Sequence, residues 1–422
     1  MNRPLLSVFL TIFLNSVCVT GASASLAAGS ATAGTLPAAS TVAPTSAQQT
    51  AVTLAQHGRT AFKAGNYSLA INYYTAALEL YPLVDAFMGR SLAYSAIHAR
   101  DESADDAVAA AKIITGTGGN DKLASDLYHL AGLGYYLSDE YDKAIAVYTE
   151  AINLAPSNSK IYESRADAYK QKLDFEHALP DLEKAMALNP KSVSAKDSYA
   201  MAFADMGLYQ VAIDKLNESL AADKGSSITY MNLGQVYTSM GKYAAARSNL
   251  DKALELDPQN WDAVLHNVEL NFYMKDYTAA SHDADRWLEN NRESSSPQDV
   301  EYMLIWKHVL SQRLKTDGRA SMEEEVSKLR DRGAWPRPII DFFLSKMNAD
   351  QLRAAAINGD PDSLKKRQCE AEAYIGEMNL AAGMMNDAAR NFETAVSLCP
   401  ISWVEYDLSR YELKSINSSV GR

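Results

Sequence analysis

Near its C-terminus the chain reads CEAEAYIGE, Cys369 to Glu377, and a second cysteine follows at Cys399 in SLCP. A thiol beside Glu370, Glu372 and Glu377 has the residue types of a metal site, an activated nucleophile or a structural clasp. Metal binding on a helix needs ligands three or four residues apart on one face. The seven histidines, His57, His98, His129, His177, His266, His282 and His308, include no such pair. No G-x-S-x-G, H-E-x-x-H or P-loop occurs, and TGTGGNDK lacks the Walker spacing and reads as a loop. Glu323-Glu324-Glu325 reads as a solvated helix face, and Met384-Met385 as adaptable packing or groove residues rather than a copper site. The pattern contains no catalytic, cofactor or metal constellation, so a binding function is favoured over an enzyme.

What positions these residues has to come from the rest of the chain. Of 422 residues, 47% are hydrophobic and the formal net charge is −12. That composition builds a core, and its acidity argues against non-specific nucleic-acid binding. Arg3, an apolar run from Leu5 to Val19 broken at Asn15 and Ser16, and the small residues Ala22-Ser23-Ala24 resemble a secretory signal peptide over residues 1–24. The run is short for a membrane span; the alternative is an uncleaved anchor. Val17 precedes Cys18, where a lipid-attachment motif carries a small residue. Cleavage would remove Cys18 and leave two cysteines in an oxidising compartment. Residues 25–50 are almost wholly Ala, Ser, Thr, Gly and Pro, which predicts a disordered linker.

A period of 34 residues follows. Tyr141, Phe175, Tyr209, Tyr243 and Tyr277 share one column, and Ala144, Ala178, Ala212, Ala246 and Ala280 another. Gly132, Ala166, Ala200 and Gly234 form a third; Pro156, Pro190 and Pro258 form a fourth. The segment Tyr230 to Pro258, with Leu233-Gly234, Tyr237 and Ala246, carries these columns most clearly and resembles the tetratricopeptide repeat family. The resemblance implies an all-α, right-handed superhelical solenoid of helix-turn-helix pairs with a C-terminal capping helix. Small columns allow close helix approach, Gly65, Gly207 and Gly241 mark inner turns, and Pro180 is acceptable only in an opening helical turn. About seven repeats are expected over 51–291, the second of them degenerate. A drifted helical pair is expected over 292–334, short connecting helices over 335–368, a last repeat over 369–400 and a capping helix with its tail over 401–422.

From Trp335 to Leu413 the chain is similar to the C-terminal part of bacterial envelope tetratricopeptide proteins, among them an outer-membrane lipoprotein group that scaffolds murein hydrolases and a protease. Trp335, IIDFFLSK, Cys369-Glu370-Ala371, Tyr374-Ile375-Gly376-Glu377 and Cys399-Pro400 carry that similarity, and Ala373 departs from it. The family resemblance implies a concave channel lined by the first helix of each pair. Its candidates are Asp126, His129, Leu133 and Tyr136, then Lys160, Glu163, Asp167 and Lys170, then Asp197 and Met201, Met231 and Gln235, and last Leu265, Glu269 and Phe272. An acidic channel with methionine and aromatic patches suits a basic or amphipathic peptide. Each of these residues has a plainer reading as a solvated helix position. Cys369 and Cys399 fall at adjoining ends of the two helices of the last repeat, which predicts a disulfide. The expected protein is an exported scaffold in the periplasm or cell envelope, with protein or peptide partners and no cofactor. A hydrolase with a site in 291–335 and a self-assembling structural protein are the alternatives.

Overall fold

A computed structural model describes residues 45–292, 295, 297–329, 335–358, 364–401 and 403–420. The expected signal peptide and residues 25–44 of the expected linker lie outside the described residues. The linker's last residues are helical: α1 spans Ser46–Lys63, capped by the Thr45 side chain, which accepts from the Gln48 amide. The first pair thus starts before position 51, because a threonine cap and a polar first turn suffice once Ala51 and Ala55 are buried.

Seven helix pairs follow in register over 46–291, all of them α-helical. They are α1 with α2 (Tyr67–Leu80), α3 (Val84–Ala96) with α4 (Arg100–Gly116), and α5 (Asp121–Leu137) with α6 (Tyr141–Leu154). Next come α7 (Ser159–Gln171) with α8 (Phe175–Leu188), and α9 (Val193–Asp205) with α10 (Tyr209–Ala222). The last two are α11 (Ser227–Ser239) with α12 (Tyr243–Leu256), and α13 (Trp261–Tyr273) with α14 (Tyr277–Asn291). The aromatic column of the sequence is therefore the first residue of the second helices from α6 to α14, whereas α4 opens on Arg100. The chain forms two compact units, which divide between Ala168 and Tyr169.

Close packing explains the small columns. A Cβ on Gly132 would lie 2.3 Å from the Tyr148 ring, and that ring is fully buried. The inner turns explain another column. The second residue after each first helix adopts positive φ, at Gly65, Gly207 and Gly241 but also at His98 (64°), Asp139 (61°), Leu173 (58°) and Lys275 (64°). These non-glycine residues take the same conformation because the turn's hydrogen bonds over-determine it: Asp174 N–H reaches the Tyr169 carbonyl at 2.9 Å, as Leu208 N–H reaches that of Phe203 at 2.8 Å. Pro180 corrects an expectation. It sits inside α8, past the opening turn that begins after the Asp174 cap, and on an exposed face. Solvent can satisfy the carbonyl that its missing N–H leaves unpaired.

Beyond the pairs, α15 spans Pro297–Leu314 and α16 Arg319–Ser327. After a cis Trp335-Pro336 bond come α17 (Arg337–Phe343) and α18 (Ala349–Ala356), the latter opened by an Asn348–Gln351 capping box. The last pair is α19 (Leu364–Ala381) with α20 (Met385–Leu398), followed by α21 (Val404–Val420). The last pair thus begins at Leu364, five residues before its expected start. Cys369 and Cys399 are joined, with Cα atoms 5.1 Å apart. One core runs through this part of the second unit, from Val264 and Phe272 through Trp306, Phe343 and Tyr374 to Leu408. No described helix is long and apolar enough to cross a membrane.

Candidate peptide-binding groove

The carboxylates around Cys369 are not a reactive cluster. The early start of α19 places Glu370, Glu372 and Glu377 beyond its first turn, so a favourable helix dipole does not account for them. Each is instead held by partners distant in sequence. Glu370 accepts from Trp335 Nε1 at 2.6 Å and Tyr302 Oη at 2.9 Å. Glu372 accepts from Arg353 Nε at 2.6 Å and Asn391 Nδ2 at 2.6 Å. Glu377 faces Arg313 Nη2 at 2.5 Å. These bonds tie α15, α18 and α20 to α19.

In the first unit, α5 and α7 present the candidates Asp126, His129, Leu133 and Tyr136, with Lys160, Glu163 and Asp167. Asp126 is paired with Lys122 at 2.7 Å. Tyr136 packs edge-on to Tyr141, with ring centroids 5.7 Å apart. Leu133, Glu163 and Asp167 are half-buried, and Lys160 is exposed. His129 Nε2 lies 2.9 Å from Ser164 Oγ, beside the Tyr148 ring. Burial pushes the His129 imidazole down to about 4, so it is neutral near pH 7. A hydroxyl beside a neutral imidazole has the parts of a nucleophile and base. Both residues lie mid-helix, where backbone N–H groups are already bonded, so the main chain offers no oxyanion donors beside them. The pair fixes side chains on the face.

In the second unit a groove of about 460 Å³ opens between the first helices of consecutive pairs. Four sequence candidates line it: Lys170, Asp197, Met201 and Gln235. Asp197 is its polar hinge. Its Oδ2 accepts from Thr229 Oγ1 at 2.6 Å and Asn232 Nδ2 at 3.4 Å, bonding α9 to α11. Burial raises the Asp197 carboxyl, and these donors oppose the rise. Ser194, Ser198, Asp205, Ile228 and Asn232 also line the groove, and sequence reasoning missed them as a set. Steps of three and four from Asp197 and Gln235 along α9 and α11 would have found them.

The remaining candidates do not line this groove. Met231 packs, partly buried, with the cluster around Leu250. Leu265 packs against the large C-terminal core, and Glu269 is buried facing His266 Nδ1 at 3.1 Å. Phe272 is corrected outright: it is 0% exposed. Trp306 and Tyr411 cover it, with ring centroids 5.4 and 6.0 Å away, and the Arg313 guanidinium lies 5.5 Å from its ring. The physical reason is that α15 and α21 fold over α13 and occupy the face it would otherwise present.

Comparison with known proteins agrees with this architecture. The tetratricopeptide repeat family matches residues 227–260 and 125–158, and a second description of the repeat matches 56–120 and 163–227. A stretch of 117 residues is 22% identical to the lipoprotein NlpI homolog of Haemophilus influenzae, covering 27% of this chain and 37% of that protein. Another of 119 residues is 31% identical to small glutamine-rich tetratricopeptide repeat-containing protein 2 of Mycosarcoma maydis, covering 28% and 32%. The chain thus spans about a third of each of these relatives. A crystal structure of a tetratricopeptide repeat protein from Parabacteroides merdae superimposes with a TM-score of 0.51, at 17% identity, over 61% of this chain and 99% of that one. Such repeats indicate a protein-binding scaffold. Paired helices in a 34-residue register, family matches at 56–120, 125–158 and 163–260 and a shared fold agree: the chain carries tetratricopeptide repeats and resembles, in part, a bacterial lipoprotein.

Proposed function

We propose that this protein is an exported scaffold of the bacterial cell envelope. It would hold a segment of a partner protein against its concave helix faces and serve as an adaptor in envelope or peptidoglycan-remodelling complexes. The observation that carries the binding role is the α9–α11 groove, where a buried, bonded Asp197 sets polar and methionine side chains facing solvent. Polar groups held in place before binding lower the ordering cost of association. The signal-like first 24 residues and the joined Cys369 and Cys399 support export to an oxidising compartment. Retention through an uncleaved N-terminus is compatible with the same role.

Crosslinking in the native envelope, followed by mass spectrometry, identifies the partner. Reversing Glu163 and Asp167 to lysine then tests the α5–α7 face. The expected result is at least tenfold weaker binding with unchanged helicity. Unchanged affinity removes that face from the binding surface and leaves the α9–α11 groove to be tested by itself.

A further inference from the structure

Four carboxyl groups that take no part in the groove converge beside it in the second unit. They are Glu269 on α13, Glu370 on α19, and Glu405 and Asp407 on α21. Glu269, Glu370 and Glu405 are 6%, 2% and 8% exposed. Glu370 is held by Trp335 and Tyr302, and Glu405 accepts from Tyr374 Oη at 3.0 Å. Glu405 and Glu370 repel each other electrostatically, and Glu269 repels both Glu405 and Asp407.

Among the described residues, the cations facing them include Lys366 on α19, Arg410 on α21 and His266 on α13. Arg313 on α15 is engaged by Glu377 at 2.5 Å and Glu412 at 3.0 Å. The facing tyrosines, Tyr209, Tyr243, Tyr273, Tyr302 and Tyr374, are raised by burial and stay neutral. Carboxylates buried together with too little countercharge favour their protonated forms.

The helix carrying two of these groups also touches the C-terminal ends of α11 and α13. Asp407 bonds to Ser239 at the end of α11, and the Tyr411 ring lies 5.1 Å from that of Tyr273 at the end of α13. Just before α21, Ile401 reaches within 3.7 Å of where a Cβ on Gly207 would stand.

We propose that α21 is a pH-set latch on the groove, docked while Glu370, Glu405 and Asp407 hold protons and loosened when these three ionise together. Release would uncover the face of α13 and lengthen the concave surface toward the C-terminus. This inference rests on the groove reading above and adds its regulation. Burial pushes Asp407 up to about 6 from an ordinary 3.8, and it raises Glu370, with Glu405 adding to that rise. Because these folded-state values lie above the ordinary ones, their stabilisation is complete at low pH and is lost as pH rises through 6 and beyond.

The test is hydrogen exchange of the full chain without partner, read by mass spectrometry at pH 5.0 and 8.5 and corrected for intrinsic exchange. We expect the α21 peptide to open at least tenfold more at pH 8.5, while peptides of α5 and α6 change less than twofold. The double variant Glu370→Gln, Glu405→Gln keeps the acceptors of Trp335 and Tyr374 and should reduce the α21 change to within about threefold. Equal α21 protection at both pH values in the unaltered chain overturns the latch, as does a full pH response in the double variant. Since no partner is present, either failure leaves the groove reading standing. That reading fails separately if partner crosslinks avoid α9 and α11.

Discussion

The faces of α9–α11 and of α13 are built from first helices of one repeat, yet they do opposite things. At α9–α11, Asp197, Met201 and Gln235 line an open groove. At α13, Phe272 is covered by α15 and α21 and is as buried as any core residue, Glu269 is buried beside His266, and Leu265 packs partly buried against the large core. The repeat determines where a side chain points. Whether that direction leads to solvent, a partner or the chain itself depends on segments outside the repeat.

Mutations should separate the two faces, with the largest effect at the covered one. Phe272→Ala should lower stability by about 3–5 kcal/mol, as truncating a filled core position does. Met201→Ala, half-buried at the groove, should cost under about 1 kcal/mol while weakening partner binding. Denaturant melts of both variants check this; similar losses would erase the distinction between the faces. Next in size is Cys369→Ser, which should cost about 2–4 kcal/mol by freeing a 30-residue closed loop. That loss should fall on the covered end, visible as faster exchange in α19–α21 with α9 and α11 unaffected.

The inner turns give smaller effects of opposite sign. Leu173→Gly relieves a branched residue held at φ 58° and should stabilise by up to about 1 kcal/mol. Gly207→Ala, at φ 76°, should destabilise by about the same amount. Thermal melts measure both.

Most of the array was legible because its determinants are local and periodic. Tyr141, Phe175, Tyr209, Tyr243 and Tyr277 each open a second helix, and a 34-residue column needs no long-range information to be seen. The αL turns were legible only where glycine marked them. Leu173 and Lys275 carry no sign of the conformation that the turn's hydrogen bonds impose on them.

The covered end was not legible, because its contacts join residues far apart with no shared period. Tyr302 meets Glu370, Arg313 meets Glu412, and Phe272 meets Tyr411. A phenylalanine on the channel-facing stripe of a helix reads alike whether it awaits a ligand or a later helix. The acids of CEAEAYIGE were illegible for the same reason: their partners Arg353 and Arg313 lie on other helices and Trp335 on the turn before α17. In the groove, the repeat register reaches Asp197, Met201 and Gln235, whereas Ser198 and Asn232 lie beside that register on the same helix faces.

The most direct test of the account is site-specific photocrosslinking in the native envelope, with the probe placed in turn at Gln235 on α11, at Ser198 on α9, and at Glu218 on the exposed side of α10. The account predicts that Gln235 and Ser198 capture the same partner and that Glu218 captures none. Capture at Glu218 with none at the two groove positions would contradict it.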